Sequence, residues 1–177
     1  MGSTTLIIGG ARSGKSRRAL LLSENYELRI LIATAEARDE EMAKRIAAHR
    51  AERTSHWRTV EEPVQLAAAV CSASDIIGCA YENSVVVVDC LTLWLSNLMH
   101  IGSDIDTETD RLLQSIGECE SDVILISNEL GLGLVPETKL GRDFRDAQGC
   151  LNQRIAVAAD LVEFVAAGLP LVLKGTP

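Results

Sequence analysis

Short apolar runs alternate along the chain with stretches of helical periodicity, an alternation that predicts a mostly parallel sheet covered by helices. Residues 4–8 read as a first strand and residues 13–25 as the helix after it. Residues 29–34 (RILIAT) predict a second strand, 39–53 a charged, alanine-rich helix, and 57–60 a short extended piece. Pro63 suits the first helical turn, where its missing N–H costs nothing, and opens a helix running to residue 73. The runs 84–89 (SVVVVD) and 122–128 (DVILISN) are apolar without alternation, as strands buried on both faces are. Helices are predicted over 107–118 and 143–159, with a glycine-rich loop, GLGLVP, ending at Pro136 between the strand and the second helix. Residues 161–165 and 169–173 read as two strands joined by a tight turn at Gly168. No repeat, low-complexity tract or linker interrupts the series, so residues 1–177 form one α/β domain large enough for its own core.

Composition adds exclusions. Aromatic residues are only 3%, so the core is built from Leu, Ile, Val and Ala. The 17 basic and 25 acidic residues leave a net charge of -8, which repels a polyanion and argues against general nucleic-acid binding. A local cluster of donors can still hold a small phosphorylated ligand. The five cysteines (Cys71, Cys79, Cys90, Cys119, Cys150) contain no CxxC pair and suit neither a disulfide framework nor a zinc site. Buried free thiols in a reducing compartment fit better. There is no basic stretch followed by an apolar run at the N-terminus, and no apolar run approaches the roughly 20 residues of a membrane helix. The expected location is the cytoplasm.

The chemistry concentrates first in Gly9-Gly10-Ala11-Arg12-Ser13-Gly14-Lys15-Ser16, a full match to GxxxxGK[ST]. Glycines let the backbone turn tightly so that its N–H groups point at phosphate oxygens. The following helix offers free N–H groups and a dipole that favours an anion. Lys15 is placed to reach the outer phosphates of ATP or GTP, and Ser16 to coordinate Mg²⁺. The preceding apolar strand and following helical pattern separate this from a plain glycine turn. A second metal-directed acid belongs at the end of a neighbouring strand. Asp89, closing SVVVVD, is the candidate; the competing role is capping the helix after it. A switch-type GTPase is disfavoured, because Asp89 is followed by Cys-Leu-Thr rather than by two residues and Gly. Ser127-Asn128-Glu129-Leu130 also lacks the lysine and aspartate of NKxD.

Beyond the loop, the chain resembles the bifunctional adenosylcobinamide kinase/adenosylcobinamide-phosphate guanylyltransferase family of cobalamin biosynthesis. The resemblance spans nearly the whole chain and rests on GGARSGKS (9–16), IAT (32–34), DEEMAKRIAAHR (39–50), HWRTVEEP (56–63), NELGLGLVP (128–136) and FRDAQGCLNQRIA (144–156). It implies a RecA-like P-loop NTPase fold and a homotrimer. It also implies two reactions: phosphorylation of the corrinoid adenosylcobinamide by ATP or GTP, then GMP transfer from GTP to that phosphate with release of pyrophosphate. In this family the second reaction runs through a guanylylated histidine, which matches His49; where some members carry a histidine pair, this chain has Ala48 before it. The resemblance also puts Ala33, Thr34 and Ala35, Arg50, Ala51, Glu52 and Arg53, and Glu61 near the nucleotide.

The residues around His49 agree with that role. Met42, Ile46, His49 and Arg53 share one face of the predicted helix. Arg45 and Arg53 lie one turn to either side, with Arg50 adjacent, and such charges favour a neutral, nucleophilic imidazole. The same arginines suit a triphosphate and departing pyrophosphate. Either Glu61 or Glu62 has the acceptors that guanine's N1–H and N2–H₂ require. Asn128 and Glu129 end a strand on the expected ligand-bearing edge, where Glu129 serves as a base, a metal ligand or a simple cap. Gly131 and Gly133 suit a corrinoid contact or a turn; Arg142, Arg145 and Asp146 suit phosphate contact or mutual pairing at a subunit contact. Trp94 and Leu95 read as core or interface, and His56 and His100 as structural or exposed. The rival functions are a kinase of another small molecule, which forms no covalent adduct, a nucleotide-responsive binding protein with little turnover, and a guanylyltransferase that has lost its kinase step.

Overall fold

The computed structural model describes residues 2–36, 40, 57–77 and 83–176. Its strands are β1 (Thr4–Gly9), β2 (Leu28–Ala33), β3 (Trp57–Glu61), β4 (Ser84–Asp89), β5 (Asp122–Asn128), β6 (Leu161–Ala166) and β7 (Leu169–Lys174). They form one sheet in the order β3-β2-β4-β5-β1-β6-β7. Every neighbouring pair is parallel except β6 with β7. The described helices are α1 (Lys15–Leu22), α2 (Leu66–Ile77), α3 (Leu91–Ile101), α4 (Ile105–Glu118) and α5 (Lys139–Ala158). The expected helix over 39–53 lies outside the described residues.

Side chains alternate across each strand, so the central strands feed two apolar layers. Leu6, Ile30, Ile32, Val86, Val88 and Leu125 face a core closed by α2, α3, α4 and α5. Ile7, Leu31, Val85, Val87, Ile124 and Ile126 face the other side, where Ala19 of α1 packs. Burial on both faces explains why these strands carry continuous apolar runs.

Several element limits differ from expectation. Helix α1 begins at Lys15 instead of residue 13, because Gly14 at its N-cap has φ 102°, outside helical space. Helix α2 begins three residues after Pro63, where the Glu62 carboxylate accepts hydrogen bonds from the Val64 and Gln65 N–H groups at 3.0 and 2.8 Å. Helix α5 begins at Lys139, four residues before the expected start, with the Thr138 hydroxyl accepting from the Gly141 N–H. A helix after Asp89 was expected only as something for that residue to cap, without bounds; it is α3, Leu91–Ile101. Leu91, Trp94, Leu95 and Leu98 form its fully buried stripe, so Trp94 and Leu95 are core.

The β6–β7 hairpin turns through Ala167 (φ 52°) and Gly168 (φ 81°). Positive φ at both central residues matches the turn that suits the natural twist of a hairpin. All six residues of β7 are exposed. Lys174 ties the strand back by donating to the carbonyls of Ala156, Val157 and Ala159 at 3.1, 2.8 and 2.6 Å, at the C-terminal end of α5.

Candidate active site

Parallel pairing brings the carboxyl ends of the strands into one row. Ala33 is opposite both Glu61 and Asp89, and Gly9 is opposite Asn128. Gly9, Thr34, Glu61, Asp89 and Asn128, drawn from distant parts of the chain, therefore share one edge of the sheet. Ligands of open α/β sheets bind at that edge.

The phosphate loop leaves β1 at Gly9 and enters α1 at Lys15. A Cβ on Gly9 would lie 2.3 Å from the Val165 carbonyl oxygen, so the loop passes β6 too closely for any side chain. Gly14 adopts a left-handed φ and sits against Gly168, whose Cα would be 3.1 Å from an added Cβ. Arg12 is exposed with φ 56°, and Gly10 and Ala11 complete the turn. The Ser13 hydroxyl oxygen is buried without a hydrogen-bond partner.

Lys15 is 7% exposed and donates from Nζ to the Gly10 carbonyl at 2.7 Å, within its own loop. Burial lowers its pKa from the ordinary lysine value, and Cys90 and Asp89 pull it partly back. The Ser16 hydroxyl donates to Asp89 Oδ2 at 3.3 Å. A hydroxyl from the first turn of α1 and a carboxylate from the end of β4 make an all-oxygen pair suited to a hard cation such as Mg²⁺. The Cys90 thiol, fully buried next to Asp89, is pushed up to about 11 by burial and by that carboxylate. It is therefore a neutral packing group. The four described cysteines are all free; Cys90 and Cys119 are buried as expected, but Cys71 and Cys150 are exposed on helix surfaces.

A hydrogen-bonded bracket holds the β2, β3 and β4 ends together. The buried Thr34 hydroxyl donates to the Cys90 carbonyl at 2.7 Å and accepts from the Cys90 N–H at 2.9 Å. Thr34 N–H donates to the Asp89 carbonyl, and Glu62 N–H to the Ala33 carbonyl. From α3, the Asn97 amide donates to the carbonyls of Thr34 and Pro63, and the Trp94 indole to that of Val64. Thr34 thus contributes architecture through its hydroxyl, and Ala33 and Ala35 present small side chains beside it. Of the two candidate acids, Glu62 has its carboxylate on the α2 N-terminus, whereas Glu61 is exposed at the end of β3.

On the other side of the row, Glu129 N–H donates to the Gly9 carbonyl at 3.0 Å. Its carboxylate accepts from the Gly131 N–H, which organises the glycine-rich loop. Arg18, in α1, forms a two-pronged pair with the buried Glu163 of β6, both bonds 2.7 Å long. Arg142 donates to the carbonyls of Pro136 and Glu137. Arg145 lies 3.6 Å from its neighbour Asp146, so mutual pairing describes these two. His100 is exposed in the last turn of α3. His49, Arg50, Ala51, Glu52, Arg53 and His56 lie outside the described residues. Among the described residues no group of three or more His, Cys, Asp or Glu is arranged for a metal.

Sequence reading passed over Thr92 and Asn97 of α3 and the Arg18–Glu163 pair. The first two carried a signal, since Leu91, Trp94, Leu95 and Leu98 recur at helical spacing. Glu163 had only the hint of an acid inside an apolar strand.

Comparison with known proteins agrees with this geometry. The family model for cobinamide kinase / cobinamide phosphate guanyltransferase matches residues 5–173. A bifunctional adenosylcobalamin biosynthesis protein of Pseudomonas aeruginosa, CobP, is 49% identical, covering 97% of this chain and 98% of that protein. The similarly described CobU of Escherichia coli K12 is 38% identical, covering 96% and 98%. Among solved structures, one ATPase domain superposes with a TM-score of 0.55 at 17% identity, covering 92% of this chain and 68% of that one. A KaiC-like protein of the hyperthermophilic archaeon Pyrococcus horikoshii gives 0.53 at 16%, covering 92% and 70%. These two likenesses support the RecA-like P-loop fold.

Proposed function

The chain belongs to the cobinamide kinase / cobinamide phosphate guanyltransferase family, and from that membership we propose how its residues divide the work. The observation that carries the reading is the Ser16–Asp89 contact beside the buried Lys15, at the head of a complete phosphate loop. The loop amides and Lys15 hold the triphosphate of ATP or GTP and stabilise charge that builds up during transfer. Ser16 and Asp89 would hold Mg²⁺, which supplies positive charge to the outer phosphates. In the kinase step the aminopropanol hydroxyl of adenosylcobinamide attacks the terminal phosphorus. The bond to the nucleoside diphosphate breaks, and the hydroxyl proton passes to a base, for which Glu129 is the candidate.

In the second step a neutral His49 nitrogen attacks the α-phosphorus of GTP and pyrophosphate leaves, aided by Arg50 and Arg53. The phosphate of adenosylcobinamide phosphate then attacks the same phosphorus, the P–N bond breaks, and His49 is regenerated with adenosylcobinamide-GDP as product. Two displacements replace one difficult transfer. Ala51 and Glu52 lie in the same nucleotide-binding segment, and Glu61 selects guanine through its carboxylate.

The chain works as one cytoplasmic domain, residues 1–177, assembled as a homotrimer. The exposed apolar side chains Leu132, Leu134, Leu169 and Leu171 support association. No helix among the described residues is long and apolar enough to cross a membrane. Light scattering should return three times the 19.1 kDa chain mass. The histidine is tested with GTP labelled at the α-phosphate: a base-stable, acid-labile adduct should form on the wild type and be absent from His49→Ala, which keeps ATP-dependent phosphorylation. An adduct that persists in His49→Ala moves the nucleophile elsewhere.

A further inference from the structure

Strand β5 runs past its neighbour β4. The last pair between them is Asp89 with Ile126, so Ser127 and Asn128 continue without a strand on that side. In an extended strand the N–H and C=O of one residue face the same edge, and successive residues alternate. Glu129 donates toward β1, to Gly9, so both main-chain groups of Asn128 face the side β4 has vacated.

Side chains from two helices meet them there. Thr92 of α3 accepts from the Asn128 N–H through Oγ1 at 2.8 Å, and Asn152 of α5 donates from Nδ2 to the Asn128 carbonyl at 3.0 Å. Asn152 is held in turn. Its Oδ1 accepts from the Ser127 hydroxyl at 2.6 Å and from the Gln148 amide at 3.0 Å, and Gln148 also reaches the Ser127 oxygen at 2.9 Å. Thr92, Ser127, Gln148 and Asn152 are all at most 8% exposed, and Gln148 Oε1 has no partner.

A buried polar group that is not fully satisfied costs stability, and an apolar replacement of the same shape would be cheaper. The cluster nevertheless delivers its bonds to one main-chain residue, Asn128, which stands opposite the first glycine of the phosphate loop. We propose that Thr92 and Asn152 are positioning residues for phosphoryl transfer. They clamp the Asn128–Glu129 peptide so that the Asn128 amide and the Glu129 carboxylate keep a fixed place relative to the terminal phosphate. This rests on the kinase reading above.

The test is steady-state kinetics of cobinamide phosphorylation with ATP, with active sites counted by nucleotide binding. Thr92→Val keeps the shape and removes the acceptor. Turnover per site should fall about tenfold or more, as small misplacements of reacting groups do. The KM for ATP should stay within about twofold, because β1 and α1 still set the loop. Thr92→Ser, which keeps the hydroxyl, should restore turnover. Asn152→Leu should behave like Thr92→Val and stands in for it if that protein does not fold. Wild-type turnover per site in the folded valine or leucine variant, with only a lower melting temperature, overturns the proposal, as does a failure of both to fold. A wild-type chain inert toward cobinamide would overturn the kinase reading instead.

Discussion

Gly168 donates its N–H to the Ser13 carbonyl at 2.8 Å, so the last hairpin of the sheet holds the middle of the phosphate loop. The turn residues that make this bond also carry backbone strain, since Ala167 sits at φ 52°, where an alanine is disfavoured by about 1 kcal/mol. Asparagine tolerates that conformation and a β-branched residue does not. Ala167→Asn should therefore raise the melting temperature by a few degrees and leave nucleotide affinity unchanged. Ala167→Val should lower stability by about 1 kcal/mol and weaken nucleotide binding, because the anchored loop shifts with the turn. Equal affinities for all three proteins would show that the hairpin does not hold the loop.

Lys15 gives a pH signature. Burial lowers its pKa below the ordinary 10.5, while Asp89 raises it. Nucleotide affinity that depends on the charged ammonium should fall as pH rises through that lowered value. Asp89→Asn removes one of the groups favouring the charge, so the alkaline limb should move to lower pH. Titrating a fluorescent nucleotide between neutral and alkaline pH reads this directly, and an unmoved limb would uncouple the two side chains.

How far the sequence could go follows from which interactions are local. Strands β4 and β5 were legible to the residue, because burial on both faces leaves an unbroken apolar run with a polar stop. The phosphate loop was legible because its chemistry needs fixed spacing over eight consecutive residues. The bounds of helix α3 were not, since Cys90 at its N-cap makes no side-chain cap and offers no start signal. Its periodicity is present but follows directly on the strand end that carries Asp89. The start of helix α5 is obscured because Gly141 in its first turn reads as loop, while Thr138, three residues before it, is the actual cap. Glu61 and Glu62 were indistinguishable as neighbours; only the folding of α2 onto Glu62 separates them. The Thr92–Asn128–Asn152 clamp joins three separate segments, and no local pattern announces it.

Arg18 and Glu163 make a second anchor of the loop, from α1 to β6. Glu163 is 1% exposed, so removing its partner strands a buried carboxylate. Arg18→Leu should cost about 3 kcal/mol in urea unfolding, reduced somewhat because Arg18 is itself partly exposed. Arg18→Leu combined with Glu163→Leu should recover much of that loss, since apolar packing tolerates the site. A double variant no better than the single one would place the cost in lost packing of the arginine stem.

The far end of the sheet sets the pH limits of stability. Tyr26 donates its phenol to Asp122 Oδ2 at 2.5 Å, and Ser3 donates to Asp122 Oδ1 from both N–H and hydroxyl. Burial works against ionisation of Asp122, but these donors outweigh it and hold the carboxyl below its ordinary 3.8. A folded-state value below the unfolded one gives stability that is complete above pH 3.8 and is lost as pH falls through the folded value. Tyr26 moves the opposite way: burial, then the bond to Asp122, hold the phenol above its ordinary 10.0. Its contribution is complete below about pH 10 and is lost as pH climbs toward the folded value. Tyr26→Phe removes one donor from Asp122 and the titrating phenol together. Its acid unfolding midpoint should move to higher pH, and the alkaline loss of stability above about pH 10 should become shallower. Circular dichroism of both proteins across the two ranges checks both signs, and an unchanged acid midpoint would mean that Ser3 alone holds the carboxylate.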